Sequence, residues 1–269
     1  MAVLMAVLLF VFLVKQLLMV VIFPPFTGHD EVAHFAYIQT VATEGRVPKL
    51  LVDDLPDYFY RYCLYILDWS PCEPENPRWL ESPFRFADWG PAGVHPAGQQ
   101  YTGNHPPLYY LLASPLYRLS DSASYETQHY LIRAFSIPFG LLTVLLVFLT
   151  VQLVFPGDRF LAITASTFVA FQPQISYESS MVNHDILGIA AISMILYLLA
   201  RGMRNRFPIW DCVALGMTLG IALLIKGNTL LVAPIIALGM IMAIGWRCVP
   251  EWVGKGAIVA GLGALLSAP

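Results

Sequence analysis

Residues 1–35 read MAVLMAVLLFVFLVKQLLMVVIFPPFTGHDEVAHF. The first 23 are apolar except for Lys15 and Gln16, and a spanning helix needs about 20 mainly apolar residues. Thr27 to Phe35 follow at the point where such a helix surfaces. They carry adjacent acids, Asp30 and Glu31, with His34 one helical turn on. No basic stretch precedes the run, no small-residue cleavage pattern follows it, and it exceeds a signal h-region, so it reads as a retained helix. Lys15 is costly against lipid and is expected to face other helices or to snorkel.

Composition extends this reading to the whole chain. Of 269 residues, 57% are hydrophobic and only 12% charged, with a mean hydropathy of +0.64. A soluble core cannot absorb that much apolar surface, so the expected class is an all-α polytopic membrane protein. The formal net charge of −3 argues against a nucleic-acid partner. There is no internal repeat and no low-complexity tract. The sequence stops at Ser267-Ala268-Pro269 within an apolar run, which suggests the N-terminal part of a longer protein.

Uncharged runs place further spans at 134–155, 160–177, 186–200, 212–225 and 228–246, and a truncated one from 256. Run 212–225 is short enough for a core helix, although Ile209 and Trp210 extend it and Lys226 can snorkel at its far end. The expected organisation is a first transmembrane helix over 1–23, an extracytoplasmic loop with juxtamembrane helices over 24–133, and helices two to seven over 134–269. Arg201, Arg204 and Arg206 form the clearest basic cluster and set their loop inside, with Arg159 and Arg247 on the same side. Asp30, the Glu178 to Asp185 loop and Lys226 then fall outside. So do all six histidines: His29, His34, His95, His105, His129 and His184.

Within the outer loop a helix is expected over 29–44. Asp30, His34 and Tyr37 mark one face, Val32, Phe35, Ala36 and Gln39 the other, and Gly45 and Pro48 end it. Such a helix would lie along the membrane surface. Residues 48–100 read as irregular but packed. His105-Pro106-Pro107 opens a helix over 108–119, with an apolar stripe of Leu108, Leu111, Leu112, Pro115 and Leu119. Cys63 and Cys72 fall in the outer loop and could pair in an oxidising compartment, whereas Cys212 and Cys248 should be free thiols.

The chemistry-bearing residues each have a plain structural reading as well. Thr27 followed three residues on by Asp30 fits a capping box, yet a helix N-terminus also keeps an acid ionised, as a base must be. Asp30 and His34 share a helical face and could ligate one divalent cation, although two ligands do not close a site. Asp185 opens a helix, where an acid is favoured by the dipole. Glu178, Asn183 and His184 make its loop more polar than a short connection needs. Lys226 is either an interfacial anchor or a cation able to bind a lipid phosphate.

Four segments together resemble the GT-C superfamily of membrane glycosyltransferases, in particular the polyprenyl-phosphate-sugar-dependent relatives of protein O-mannosyltransferases and the aminoarabinose transferase. They are Gly28-His29-Asp30-Glu31-Val32-Ala33-His34, His105-Pro106-Pro107-Leu108-Tyr109-Tyr110-Leu111-Leu112, Gln172-Pro173 through Asp185, and Ile225-Lys226-Gly227 through Pro234. Their order and spacing agree with the superfamily pattern. The resemblance implies transfer of a hexosyl or pentosyl unit, with inversion, from a polyprenyl-phosphate sugar to a hydroxyl of a glycan, lipid or protein acceptor, on the extracytoplasmic side of the cell membrane. Asp30 would be the catalytic base. Glu31, His105, Asp185 and Lys226 would contact substrate, with Lys226 at the phosphate. A metal on Asp30 and His34 is the one cofactor considered. The residues alone leave three other classes open, a polytopic transporter, a lipid-linked glycan ligase or polymerase, and a structural module of a larger complex with a degenerate site.

Overall fold

The structure, a computed structural model, describes residues 1–56 and 100–268. His95, Cys63 and Cys72, and with them the expected disulfide, lie outside the described residues. Ten α-helices and one 3-10 helix make up the described chain. Five helical segments are long and apolar enough to cross a membrane: α1 (Ala2–Ile22), α4 (Tyr125–Val154), α7 (Asp185–Asn205), the continuous Gly227–Ile244 segment, and α10 (Val249–Ser267). The fourth of these joins a 3-10 turn, Gly227–Val232, to α9 (Ala233–Ile244). Two shorter apolar helices, α5 (Arg159–Phe171) and α8 (Ile209–Ile225), lie among them. The protein is thus an all-α polytopic membrane protein.

Contacts at the helix ends define two poles. At one, the Arg133 guanidinium of α4 donates to Phe23 O at 2.7 Å and Pro24 O at 3.0 Å, just past α1. Lys226, past the end of α8, pairs with Asp185 at the start of α7. At the other pole Arg204 donates to Leu153 O at 3.1 Å and Arg206 to Ile244 O at 3.2 Å, while Arg201 pairs with Asp211. Helix α8 therefore runs from pole to pole, and its 17 residues reach about 25 Å at 1.5 Å each.

The single span expected over 160–177 is instead broken. Helix α5 ends at Phe171, Gln172 is extended, and Pro173 opens the short α6 (Pro173–Glu178). Proline cannot continue a helix from its preceding turn but suits the first turn of a new one. Helix α4 starts nine residues before the uncharged run at 134. Ser124 caps it by accepting from Thr127 N at 3.3 Å, and beyond a largely exposed first turn its polar Gln128, His129 and Arg133 are buried. Charge ended the sequence reading there because the partners that hide these residues lie far off in the chain. Lys15 bonds the carbonyl of Ala170 at the end of α5 and donates to Ser176 Oγ at 2.6 Å, so it faces other helices.

Helices α2 (Glu31–Glu44) and α3 (Leu108–Leu119) cap the first pole. Every residue from Glu31 to Ile38 is buried, so the first two turns of α2 are enclosed on all sides by the protein. Helix α3 supplies one wall: Tyr110 stacks on Tyr37 with ring centroids 3.6 Å apart. The leucine stripe of α3 faces outward, with Leu111, Leu112 and Leu119 exposed and Tyr109, Tyr110, Ala113 and Tyr117 packed inward. Of the two helices, it is α3 that offers an apolar face to lipid.

Candidate active site

Asp30 is the residue before α2 and adopts φ 58°, ψ 7°, the left-handed region. For a non-glycine residue this costs about 1–3 kcal/mol and persists only where the surroundings hold it. The expected capping box is absent: Asp30 makes no side-chain cap, and Thr27 Oγ1 donates instead to Pro24 O at 2.8 Å. Glu31 takes over that role, accepting from Gly28 N at 2.8 Å and drawing the turn tight. Asp30 is thereby freed to point outward. Its carboxylate accepts from Tyr101 Oη at 2.8 Å and lies 3.2 Å from His29 Nε2, with about a third of the side chain exposed.

Glu31 does not face the site. It is fully buried, and Arg133 grips it bidentately at 2.8 and 2.6 Å. It also accepts from Val182 N at 2.8 Å, and His129 Nε2 lies 3.4 Å away. Burial works against its charge, but His129 and Arg133 outweigh that and hold the carboxyl well below its ordinary range. Its place is structural. One carboxylate ties the Asp30 turn to α4 and to the loop that carries His184 and Asp185.

The second half of the site is built from the α6–α7 loop and the end of α8. Asn183 Oδ1 accepts from Asp185 N at 2.8 Å, which fixes the loop as it enters α7. Asp185 and Lys226 pair, each about a third exposed. His105 joins the halves. Its ring centroid is 4.4 Å from that of His184 and 5.8 Å from that of His34, and it interacts electrostatically with Lys226, Asp185 and Asp30 alike. Tyr37 Oη donates to the His105 carbonyl at 3.0 Å, anchoring it on α2.

Burial sets the charge state of this histidine cluster. It lowers His34 well below its ordinary value, helped by His184 and His105, and lowers His105, helped by Lys226. It pulls His184 down to about 4 despite the neighbouring Asp185. All three are therefore neutral near pH 7, with Lys226 as the cation beside them. Glu178 moves the other way, raised by burial and by Asp185.

The paired metal ligands do not find a third. His34 Nδ1 lies 2.9 Å from Tyr110 Oη and Asp30 is engaged by Tyr101 and His29. No group of three or more His, Cys, Asp or Glu among the described residues is arranged to hold a metal ion. Among the described residues Asp30 and His34 therefore do not close a metal site, and no step below passes through a metal.

Asp30, His105, Asp185 and Lys226 come together from four separate segments, with His34 behind them. Tyr101 and Arg133 escaped the sequence reading. Tyr101 stands 71 positions from its partner Asp30 and has no local signature. Arg133 did leave a trace, as the arginine bordering the uncharged run at 134. Comparison with curated proteins and with solved structures finds no match. The family described as dolichyl-phosphate-mannose-protein mannosyltransferase matches residues 104–268, from the His105 segment through the Lys226 turn to the end of α10. The chain belongs to that family of polyprenyl-phosphate-sugar-dependent membrane glycosyltransferases.

Proposed function

We propose that the protein transfers a sugar from a polyprenyl-phosphate donor to an acceptor hydroxyl, with inversion, at the pole where Asp30 and Lys226 meet. The observation that carries this reading is the position of His105, within electrostatic reach of Asp30, Asp185 and Lys226 at once. A base and a cation that both act on one histidine are close enough to serve a single reacting carbon.

The chemistry fits that spacing. The leaving group is a phosphate, a weak base that needs no proton from an acid, so one carboxylate base suffices where a glycosidase needs two carboxyl groups. Asp30 takes the proton of the acceptor hydroxyl as that oxygen attacks the anomeric carbon from the face opposite the phosphate. The carbon–phosphate-oxygen bond breaks and its electron pair leaves with the phosphate. Lys226 meets the charge that builds there. At rest Lys226 is paired with Asp185, which holds the ammonium in place and restrains it from closing over the site. Tyr101 and His29 hold the Asp30 carboxylate.

Sidedness follows from charge. Arg201, Arg204 and Arg206 meet at the other pole, near Arg159 at the start of α5, and positive charge in short loops marks the cytoplasmic face. The site then opens on the extracytoplasmic side. Glycan, lipid and protein hydroxyls are all acceptable chemistry for the base.

Asp30→Asn tests the assignment cleanly, because asparagine tolerates the left-handed backbone as aspartate does. Transfer of label from a polyprenyl-phosphate sugar should fall by about 10²–10⁴-fold, with thermal unfolding unchanged. Undiminished transfer by a folded Asp30→Asn variant would remove Asp30 as the base.

A further inference from the structure

Behind the Asp185–Lys226 pair lie two polar side chains that the mechanism above does not use. Glu178 closes α6 and is 6% exposed; His184 precedes α7 and is 2% exposed. Glu178 Oε1 accepts from Gln174 Nε2 at 2.5 Å, but Oε2 has no hydrogen-bond partner among the described residues. Neither ring nitrogen of His184 has one, Nε2 standing 3.6 Å from Asp185 Oδ1. Buried polar atoms are nearly always paired, and each one left unpaired is costly. Three such atoms on one short turn, beside the functional ion pair, point to a ligand that pairs them.

We propose that Glu178 and His184 form the seat of the donor sugar and hold its hydroxyl groups. This rests on the donor assignment made above. The position suits the role. Both residues interact with Asp185 and with Lys226, the proposed phosphate partner, and His184 packs against His105, which reaches across to Asp30. A sugar whose phosphate sits at Lys226 and whose anomeric carbon faces Asp30 must pass over this turn.

The chemistry suits it too. A neutral imidazole offers one donor and one acceptor, as a hydroxyl does, so His184 can exchange hydrogen bonds with a sugar without adding charge. Burial and the neighbouring Asp185 raise the Glu178 carboxyl, and its unpaired Oε2 can accept a hydrogen bond from a sugar hydroxyl. A site built to pair hydroxyls rejects a ligand that lacks them, because its own buried groups are then stranded. The seat therefore separates a glycosylated lipid phosphate from the bare lipid phosphate that remains after transfer, and favours product release.

The test compares two lipids on the full chain in nanodiscs, polyprenyl-phosphate mannose and polyprenyl phosphate. Wild type should bind the mannosylated lipid about tenfold or more tightly than the bare one, as expected for hydrogen bonds to buried polar groups. Glu178→Ala and His184→Ala should each erase most of that preference while binding the bare lipid within about twofold of wild type, which also shows that they are folded. Lys226→Met should weaken both lipids. The seat is overturned if wild type shows no preference, if both variants keep it, or if they lose both lipids equally. Failure of the donor assignment looks different: wild type then binds neither lipid, or Lys226→Met binds the bare lipid as wild type does.

Discussion

The least expected residue is Glu31, an acid beside the proposed base that is fully buried. Its two oxygens are spent on Arg133, Gly28 and Val182, and Arg133 goes on to the α1 end through the carbonyls of Phe23 and Pro24. This network holds Asp30 in its left-handed conformation and sets its distance from the α7 loop. Stranding one member of a buried ion pair costs about 3–5 kcal/mol, far more than the pair contributes against an apolar replacement. Arg133→Met should therefore destabilise strongly, and the double variant Arg133→Met with Glu31→Leu should recover part of the loss. A thermal-unfolding cycle on the four proteins measures this. Equal loss in the single and double variants would mean that the pair is not the source of the cost. Transfer should stay low in both, since neither restores the turn that presents Asp30.

At the scale of elements, apolar length alone carries much of the sequence reading, and its errors share one cause. Local signals place helix α3 to the residue, and α1 and α2 within two residues, because prolines and Gly45 mark their ends. The start of α4 and the enclosure of α2 were not legible, because both depend on contacts such as Arg133 to Glu31 that span about a hundred residues. Nor did the α3 stripe reveal its direction, since leucines facing lipid and leucines facing a core look alike in sequence. Close helix packing is another such feature. Gly216 and Gly220 of α8 lie against α10: a Cβ on Gly220 would stand 2.7 Å from Leu266 Cβ and 3.0 Å from Gly263 O. Small residues spaced this way let membrane helices approach closely. Gly220→Leu should force the pair apart, lowering stability by about 1–3 kcal/mol or more. Transfer should fall with it, because α8 carries Lys226 at its end. Gly256→Ala is the control, having open space around the added methyl; it should leave unfolding unchanged or raise it slightly. Detergent thermal melts on both variants decide, and equal melting of the two would show that α8 and α10 are not in close contact.

For the molecule as a whole, the bundle separates two kinds of polar chemistry onto two ends. The proposed acid–base and cation groups share one pole with the five described histidines: His29 beside Asp30, His129 beside Glu31, and His34, His105 and His184 in a cluster. The other pole holds the arginines that close α4, α7 and α9. Parity along the chain sorts these residues the same way, and it depends on the short 209–225 run crossing the bilayer. The Arg201–Asp211 and Lys226–Asp185 contacts lie at the two ends of that helix, one at each pole. Which pole faces the cytoplasm is then a single binary question for the entire protein. Cys248, exposed between α9 and α10, is a native probe of the arginine pole, and Cys212 is buried. In a chain carrying Cys63→Ser and Cys72→Ser, a membrane-impermeant thiol reagent added to intact cells should not label Cys248 and should do so once the membrane is opened. Adding His29→Cys should give labelling in intact cells, since that side chain is 82% exposed beside Asp30. Positive charge resists translocation, so the proposed orientation keeps the arginine pole inside and brings donor lipid to Asp30 from the outer leaflet. Labelling of Cys248 in intact cells, with His29→Cys protected, would reverse the molecule and move the proposed transfer to the cytoplasmic leaflet, with the site geometry untouched.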